Sequence, residues 1–362
     1  MILSTIEPVK KIVVLSTSAL GELLVTLPLL QESRRIYPDA KITLVCSRKA
    51  VARFAEELQT ADDIQLLPAN ARRSPIALFQ SIRLMQALQP DILFQAFASH
   101  GTLGNILAGA SQAKIRCGFS GGRFQSLLTH RIPIDPDWHR ITCNVNLLRR
   151  LGHADAAEPT GRYLPQIEAR SKMYPGGHVG NQHGPYAVLS IGSDPTIAFK
   201  RWPIDKWVEL CKLLSLDGIT PIFVGDNSIR EDGDAVIRAA GGSGLNLAGE
   251  TQFTDLAALI LSSKVVIATD GMILHFAAAM HKTCVGIFGP SHPSVGGPWG
   301  DIHLNVSLSL PCSPCYGAHS CGKGAGCTTH ECLTHLSARR VYSRVTAISS
   351  KTQVAGLRTE NY

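Results

Sequence analysis

Short β-branched apolar runs alternate with stretches of helical period along most of the chain. "KIVVLS" (11–16) precedes a helical pattern over 23–36. "KITLVCS" (41–47) precedes one over 50–58, "IQLLP" (64–68) one over 76–88, and "DILFQAF" (91–97) one over 102–110. The pattern predicts four strands and four helices in this half. A polar stretch rich in Gly, Pro and His, "SKMYPGGHVGNQHGP" (171–185), interrupts it and reads as a linker. The alternation then restarts with five expected strands, at 186–193, 220–226, 245–249, 264–270 and 284–289, separated by helical patterns. A last helix is expected over 337–349, followed by a fraying tail. Strand–helix alternation at this spacing predicts right-handed βαβ units and parallel sheets. The expected organisation is a first α/β domain over 1–175, a second over 186–345 and a tail over 346–362. The expected fold class is α/β, with two Rossmann-like parallel-sheet domains facing across a cleft. In such sheets the loops after the strands hold ligands.

Composition narrows the function classes. A hydrophobic share of 45% and a charged share of 17% describe a globular protein with filled cores. No apolar run reaches the roughly 18 residues of a membrane span, and the first residues lack the order of a signal peptide. The expectation is a cytoplasmic protein. Its net charge of +7 falls entirely in residues 1–180, with 21 Lys and Arg against 14 acids; residues 181–362 balance at 14 each. That asymmetry suits an anionic glycolipid or glycan, or an acidic membrane surface. It equally suits a surface charged for solubility. Nucleic acid is disfavoured, because the basic residues are scattered and aromatics are only 6%.

Four stretches carry candidate chemistry. In "STSALGE" (16–22), Gly21 permits a tight turn and Glu22 lies at a helix start. Glu22 can serve as a general base or simply complement the helix dipole. In "GSDPTIAFKRWP" (192–203), Thr196 and Lys200 can hold phosphate, with Trp202 and Pro203 packing at a helix start. The alternative is a surface lysine. In "VVIATDGMILHFAAAM" (265–280), a strand ending at Asp270 opens onto a helix whose N–H groups suit a diphosphate, and His275 can reach the same anion. The alternative makes Asp270 an N-cap and His275 a packed helix residue. The fourth stretch gathers Cys312, Cys315, Cys321, Cys327 and Cys332. One C-x-x-C with three further cysteines can bind structural Zn or Fe, or be free loop thiols.

These stretches, in this order, resemble glycosyltransferase family 9, which contains the ADP-heptose:lipopolysaccharide heptosyltransferases. The resemblance runs from about Lys11 to about Val345. It rests on "SALGE…TLP", "YPDAKITLV", "HRITCNVNLLRRLG", "KRWP", "NLAGETQFTDLAALI", "VVIATDGMILHFAAAM" and "GIFGPSHPSVGGPWG". It implies a GT-B fold, with the acceptor on the first domain and a nucleotide-sugar donor on the second. It also implies inverting transfer of heptose or a related sugar to a lipopolysaccharide core or similar glycan. Glu22 stands where the family motif S-x-x-G-D has its general-base Asp. Lys200 matches the family's phosphate-contacting lysine, and Thr196 a phosphate-binding hydroxyl. "DGMILH" departs from D-[ST]-G-x-x-H: Asp270 and His275 are kept, while Gly271 and Met272 replace the hydroxyl and the glycine. The ribose acid falls to Asp226 or Asn227. Arg72, Arg73 and Arg123 match acceptor-side basic positions. No metal is implied for the chemistry. A protein-glycosylating branch of the family binds iron through a cysteine finger, so a protein acceptor is a second reading. A degenerate binding homologue is a third.

Overall fold

The computed structural model describes residues 8–164, 166–167, 184–192, 195–316 and 327–359. The chain divides into two compact units, Met1–Tyr163 and Leu164–Tyr362. Most of the expected linker, residues 171–183, lies outside the described residues.

The first unit holds six parallel strands in the order β3-β2-β1-β4-β5-β6. They are β1 Lys11–Leu15, β2 Lys41–Cys46, β3 Asp63–Leu66, β4 Ile92–Gln95, β5 Ile115–Phe119 and β6 His130–Ile132. The helices are α1 Leu20–Ile36, α2 Lys49–Leu58, α3 Pro75–Leu88, α4 Thr102–Ala110 and α5 Arg140–Arg150. The strand order reverses at β1, which has β2 on one side and β4 on the other, in register Ile12↔Ile42 and Ile12↔Ile92. Such a switch point opens a crevice at the carboxyl ends of the central strands. Val13, Leu15, Val45, Leu93 and Leu107 form one buried layer.

The second unit repeats the plan, with strand order β12-β11-β10-β7-β8-β9. These strands are β7 Tyr186–Ser190, β8 Thr220–Phe223, β9 Leu245–Asn246, β10 Val265–Thr269, β11 Cys284–Ile287 and β12 Leu304–Val306. Its helices are α6 Ile204–Leu216, α7 Arg230–Ala239, α8 Phe253–Ser262, α9 Met272–Ala279, α10 Pro293–Gly296, α11 Glu331–Thr334 and α12 Ala338–Thr359. Trp202 and Trp207 pack edge to face at 5.2 Å in the core.

All nine expected strands are present. Three others, β5, β6 and β12, escaped the pattern: two are three residues long, and β5 carries Arg116 and Gly118 among its apolar positions. Helix α5 was also unexpected. The tail expected from 346 is a correction, because α12 continues to Thr359. Its Gln, Ala, Leu and Arg are good helix formers, and no proline breaks them. Among the described residues, no helix is long and apolar enough to cross a membrane.

Candidate active site

In the first unit, the loop after β1 is fastened at the carboxyl ends of its two neighbours. Ser16 N–H donates to the Val45 carbonyl at 2.9 Å, and Thr17 N–H to Ser99 Oγ at 2.8 Å. Ser47 Oγ donates to the Thr17 carbonyl at 2.7 Å. Helix α1 then starts at Leu20, with Ala19 at the N-cap and no side-chain cap. Gly21 lies inside the first turn of α1 and has no left-handed φ, so the tight turn expected of it is absent.

Glu22 extends from that first turn. Its Oε1 accepts from Arg140 Nη1 at 2.8 Å. The two side chains are 22% and 23% exposed, so the pair is only partly screened by water. Glu22 Oε2 is buried and has no hydrogen-bond partner among the described residues. Arg140 opens α5, with its guanidinium 5.2 Å from the Phe97 ring centroid. Such a stacked cation keeps its fork in a fixed plane. Asn144, one turn along α5, accepts from Phe97 N–H at 2.8 Å and donates to the Val25 carbonyl of α1 at 2.9 Å. That carbonyl neighbours Leu24, whose helical donor is lost because Pro28 has no N–H. A polar bridge thus sets the helix that carries Arg140 against the helix that carries Glu22. Sequence reasoning missed Arg140 and Asn144, although both lie in the quoted "HRITCNVNLLRRLG".

The acceptor-side arginines occupy loops. Arg72 and Arg73 are exposed in the turn before α3. Arg123 lies in the loop after β5, its guanidinium 5.6 Å from the Phe124 ring. That loop is shaped by buried Asn105, whose Nδ2 donates to the Gly121 and Arg123 carbonyls at 3.1 and 3.0 Å. Buried Gln95 donates to Asn105 in turn. Gly122, with φ of 72°, sits so close to Gly101 that a Cβ would fall 2.9 Å from its Cα. Among the described residues, no ion pair joins these arginines to Glu22; its cation is Arg140.

In the second unit, Lys200 ends a 3-10 turn, Pro195–Lys200, fixed by the buried Trp202 indole donating to the Leu336 carbonyl at 3.0 Å. Lys200 Nζ reaches Asp270 Oδ2 at 2.6 Å, and Ser291 Oγ donates to the same oxygen at 2.5 Å. Both partners of the ion pair are nearly buried, at 13% and 11% exposed. Burial alone would raise the Asp270 carboxyl. The Lys200 charge, hydrogen bonds from Lys200 and Ser291, and nearby His275 outweigh it, holding the carboxyl below its ordinary range. Lys200 also lies 4.7 Å from the Tyr316 ring centroid.

Asp270 is therefore not the N-cap of α9. That position belongs to Gly271, which makes no side-chain cap. Gly271 has φ of −179°, extended backbone open to any residue, and a Cβ there would meet only the Thr269 carbonyl at 3.6 Å. Met272 is the first residue of α9, and His275 is buried one turn later. Thr196 belongs to the 3-10 turn, but its side chain lies outside the described residues. Asp226 is engaged locally: its Oδ1 accepts from Ser228 N–H at 2.9 Å and Ser228 Oγ at 2.5 Å. Asn227 is exposed and passes close to Gly249, whose φ is 79°.

Cys315 and Cys332 are buried, Cys327 is half-buried and Cys312 is exposed; Cys321 lies outside the described residues. Burial pushes the Cys332 thiol up to about 11, and the charges of Cys315, Cys327 and Cys312 add to that rise. Among the described residues, no group of three or more His, Cys, Asp or Glu side chains is arranged to hold a metal ion. The four thiols have suitable donor chemistry but do not form a ready ligand set, so no step is assigned to a metal there.

These two clusters offer different chemistry. Glu22 has a carboxylate oxygen without a hydrogen-bond partner. Lys200 and the N-terminus of α9 supply hydrogen-bond donors suited to phosphate.

The family model for glycosyltransferase family 9 (heptosyltransferase) matches residues 105–324. The chain is 30% identical over 166 residues to lipopolysaccharide heptosyltransferase 2 of Escherichia coli K12, covering 44% of this chain and 46% of that protein. It thus spans about half the length of the first curated relatives it matches. A family 9 glycosyltransferase structure from Veillonella parvula aligns with a TM-score of 0.74 at 19% identity, covering 94% of this chain and 97% of that one. The E. coli ADP-heptose lipopolysaccharide heptosyltransferase II structure aligns at 0.70 and 19%, covering 95% and 99%. The structural likenesses carry the GT-B fold of paired Rossmann-like sheets. The family model covers well over half the chain, including the stretches around Lys200, Asp270 and His275. This chain therefore belongs to glycosyltransferase family 9, the heptosyltransferase family.

Proposed function

We propose that the protein is an inverting glycosyltransferase. It moves heptose, or a closely related sugar, from a nucleotide-diphosphate donor to a hydroxyl of a lipopolysaccharide core or similar anionic glycan. ADP-heptose is the proposed donor, and the cytoplasm the proposed place of action. The observation that carries this reading is the state of Glu22: one oxygen is fixed by Arg140 and the other has no hydrogen-bond partner. A carboxylate held in that way can accept a proton without losing its position.

The step is a direct displacement. The acceptor oxygen attacks the anomeric carbon from the face opposite the leaving group. The bond from that carbon to the diphosphate oxygen breaks, and its electron pair leaves with the nucleoside diphosphate. The acceptor proton passes to Glu22. Lys200 and the amides opening α9 offset the charge growing on the diphosphate, with Asp270 and Ser291 keeping Lys200 and the loop in place. Cationic and backbone donors of this kind stabilise a leaving phosphate without a metal ion. Thr196, Gly271, Met272 and His275 are assigned to the donor diphosphate side, and Asp226 or Asn227 to the ribose. Arg72, Arg73 and Arg123 are assigned to acid groups of the acceptor, for which arginine forks are suited.

The lipopolysaccharide heptosyltransferases among the relatives named above favour a glycan acceptor over a protein. The intact carboxylate and Lys–Asp pair favour an enzyme over a degenerate binder. The test is incubation of the purified chain with ADP-heptose and heptose-deficient lipopolysaccharide. ADP release coupled to a mass gain of one heptose is the expected result. Release from GDP- or UDP-sugars alone would reassign the donor, and no transfer with any would overturn the reading.

A further inference from the structure

The first unit concentrates its charge and its exposed apolar side chains in one stretch. Between Ile64 and Ile134 the chain has seven Lys or Arg residues and a single acid, Asp91. That acid is occupied elsewhere: its Oδ2 accepts from the backbone amides of Lys10 and Lys11. The same stretch holds five of the eight large apolar side chains left exposed among the described residues.

Helix α3 brings the two features together. Ile76 is 72% exposed and Phe79 is 61% exposed. They lie three residues apart, with exposed Arg83 four further on, so all three share one helical face. The opposite face, Ala77, Ser81 and Met85, is buried. Arg72 and Arg73 are exposed immediately before the helix, and α3 itself contains no acid. Among the described residues, none of these three arginines has an ion-pair partner. Leaving two large apolar side chains in water is unfavourable, and ringing them with unpaired arginines keeps them from packing against another basic surface.

We propose that this face of α3 docks the first unit on a bilayer surface containing anionic lipid. Ile76 and Phe79 enter the boundary between headgroups and acyl chains, while Arg72, Arg73 and Arg83 lie among the lipid phosphates. Shallow apolar insertion flanked by basic residues is the pattern of an interfacial helix. A nucleic acid would use the arginines but leave Ile76 without a role, since an aliphatic side chain offers no stacking plane. The inference needs neither Glu22 nor Lys200; it shares Arg72 and Arg73 with the acceptor side proposed above, so its test rests on Ile76, Phe79 and Arg83, which the reaction does not use.

The test is co-sedimentation of the full chain with phosphatidylcholine vesicles, with and without 30 mol% phosphatidylglycerol. Binding is expected only with the anionic lipid, and it should weaken as salt is raised. The double variant Ile76→Ser/Phe79→Ser should lower the partition coefficient about tenfold. Arg83→Gln alone should lower it about fivefold. Both variants alter exposed side chains, and unchanged circular dichroism and unchanged turnover of a detergent-solubilised acceptor would show that the fold and site are intact. Equal binding by wild type and double variant, no binding of wild type to anionic vesicles, or retention by a polyadenylate probe in preference to vesicles would each overturn the proposal.

Discussion

Glu22 and Asp270 are both carboxylates at the carboxyl ends of parallel sheets, and both face a cation, yet they are held in opposite ways. Asp270 Oδ2 receives Lys200 and Ser291 together, in a nearly buried setting that keeps the group ionised. Glu22 shares one oxygen with Arg140 and leaves the other without a partner. A carboxylate oxygen that receives two donors fixes its neighbours in place. One that receives none retains capacity to take a proton. The difference lies in how each carboxylate is held, although residue type and location are almost the same.

That contrast breaks most visibly if Glu22→Gln keeps its turnover. The expected outcome is a fall of about 10² to 10⁴ in kcat, measured by ADP release, since the amide cannot accept the proton. Lys200→Ala should cost on the order of 10² to 10³ in kcat by removing the charge that offsets the leaving diphosphate. The same change leaves Asp270 buried without its cation, which costs roughly 3–5 kcal/mol of stability. Adding Asp270→Asn should restore much of the Tm and none of the rate, which separates the structural part from the chemical part.

Arg140→Ala tests whether orienting Glu22 matters. About a tenfold loss in kcat with little change in KM is expected, because a freed carboxylate still reaches the acceptor part of the time. Partial recovery with Arg140→Lys would show that charge alone is not sufficient, since lysine lacks the planar fork that stacks on Phe97.

The Asp270 pair also predicts a pH signature. Its folded carboxyl lies below its unfolded value, so it contributes stability above the ordinary Asp pKa of about 3.9. That contribution disappears as pH falls from there through the folded value. Asp270→Asn should flatten the acid limb of a Tm-against-pH curve and leave its neutral and alkaline limbs parallel to wild type. The smallest effect belongs to Gly271→Ser, which restores a hydroxyl the family motif carries. The backbone is extended and the space open, so stability should move by no more than about 0.5 kcal/mol. Tighter donor binding by calorimetry is the expected gain.

Much of this architecture was readable along the chain. A run such as "KIVVL" has β-branched residues and strand length, and "AVARFAEEL" has the three-and-four spacing of a half-buried helix. Those are local properties, so nine strands could be placed from pattern alone. Strands of three residues, such as His130–Ile132 and Leu304–Val306, offer too few positions for a period to show. Glu22, Lys200, Asp270 and His275 could be nominated because their types and order match a known family.

What the sequence by itself determined was the alternation, and with it two parallel sheets, the basic bias of the first half and the carboxylates placed after strands. Only the tertiary structure decided which charges meet. Arg140 lies 118 residues beyond Glu22, and Lys200 and Asp270 are 70 apart. Their pairing depends on helix packing and strand order, and a Coulomb interaction acts through space with no trace in local spacing. The tertiary structure also decided that Gly271, not Asp270, caps α9, because Lys200 and Ser291 together bind that carboxylate more favourably than a helix amide does.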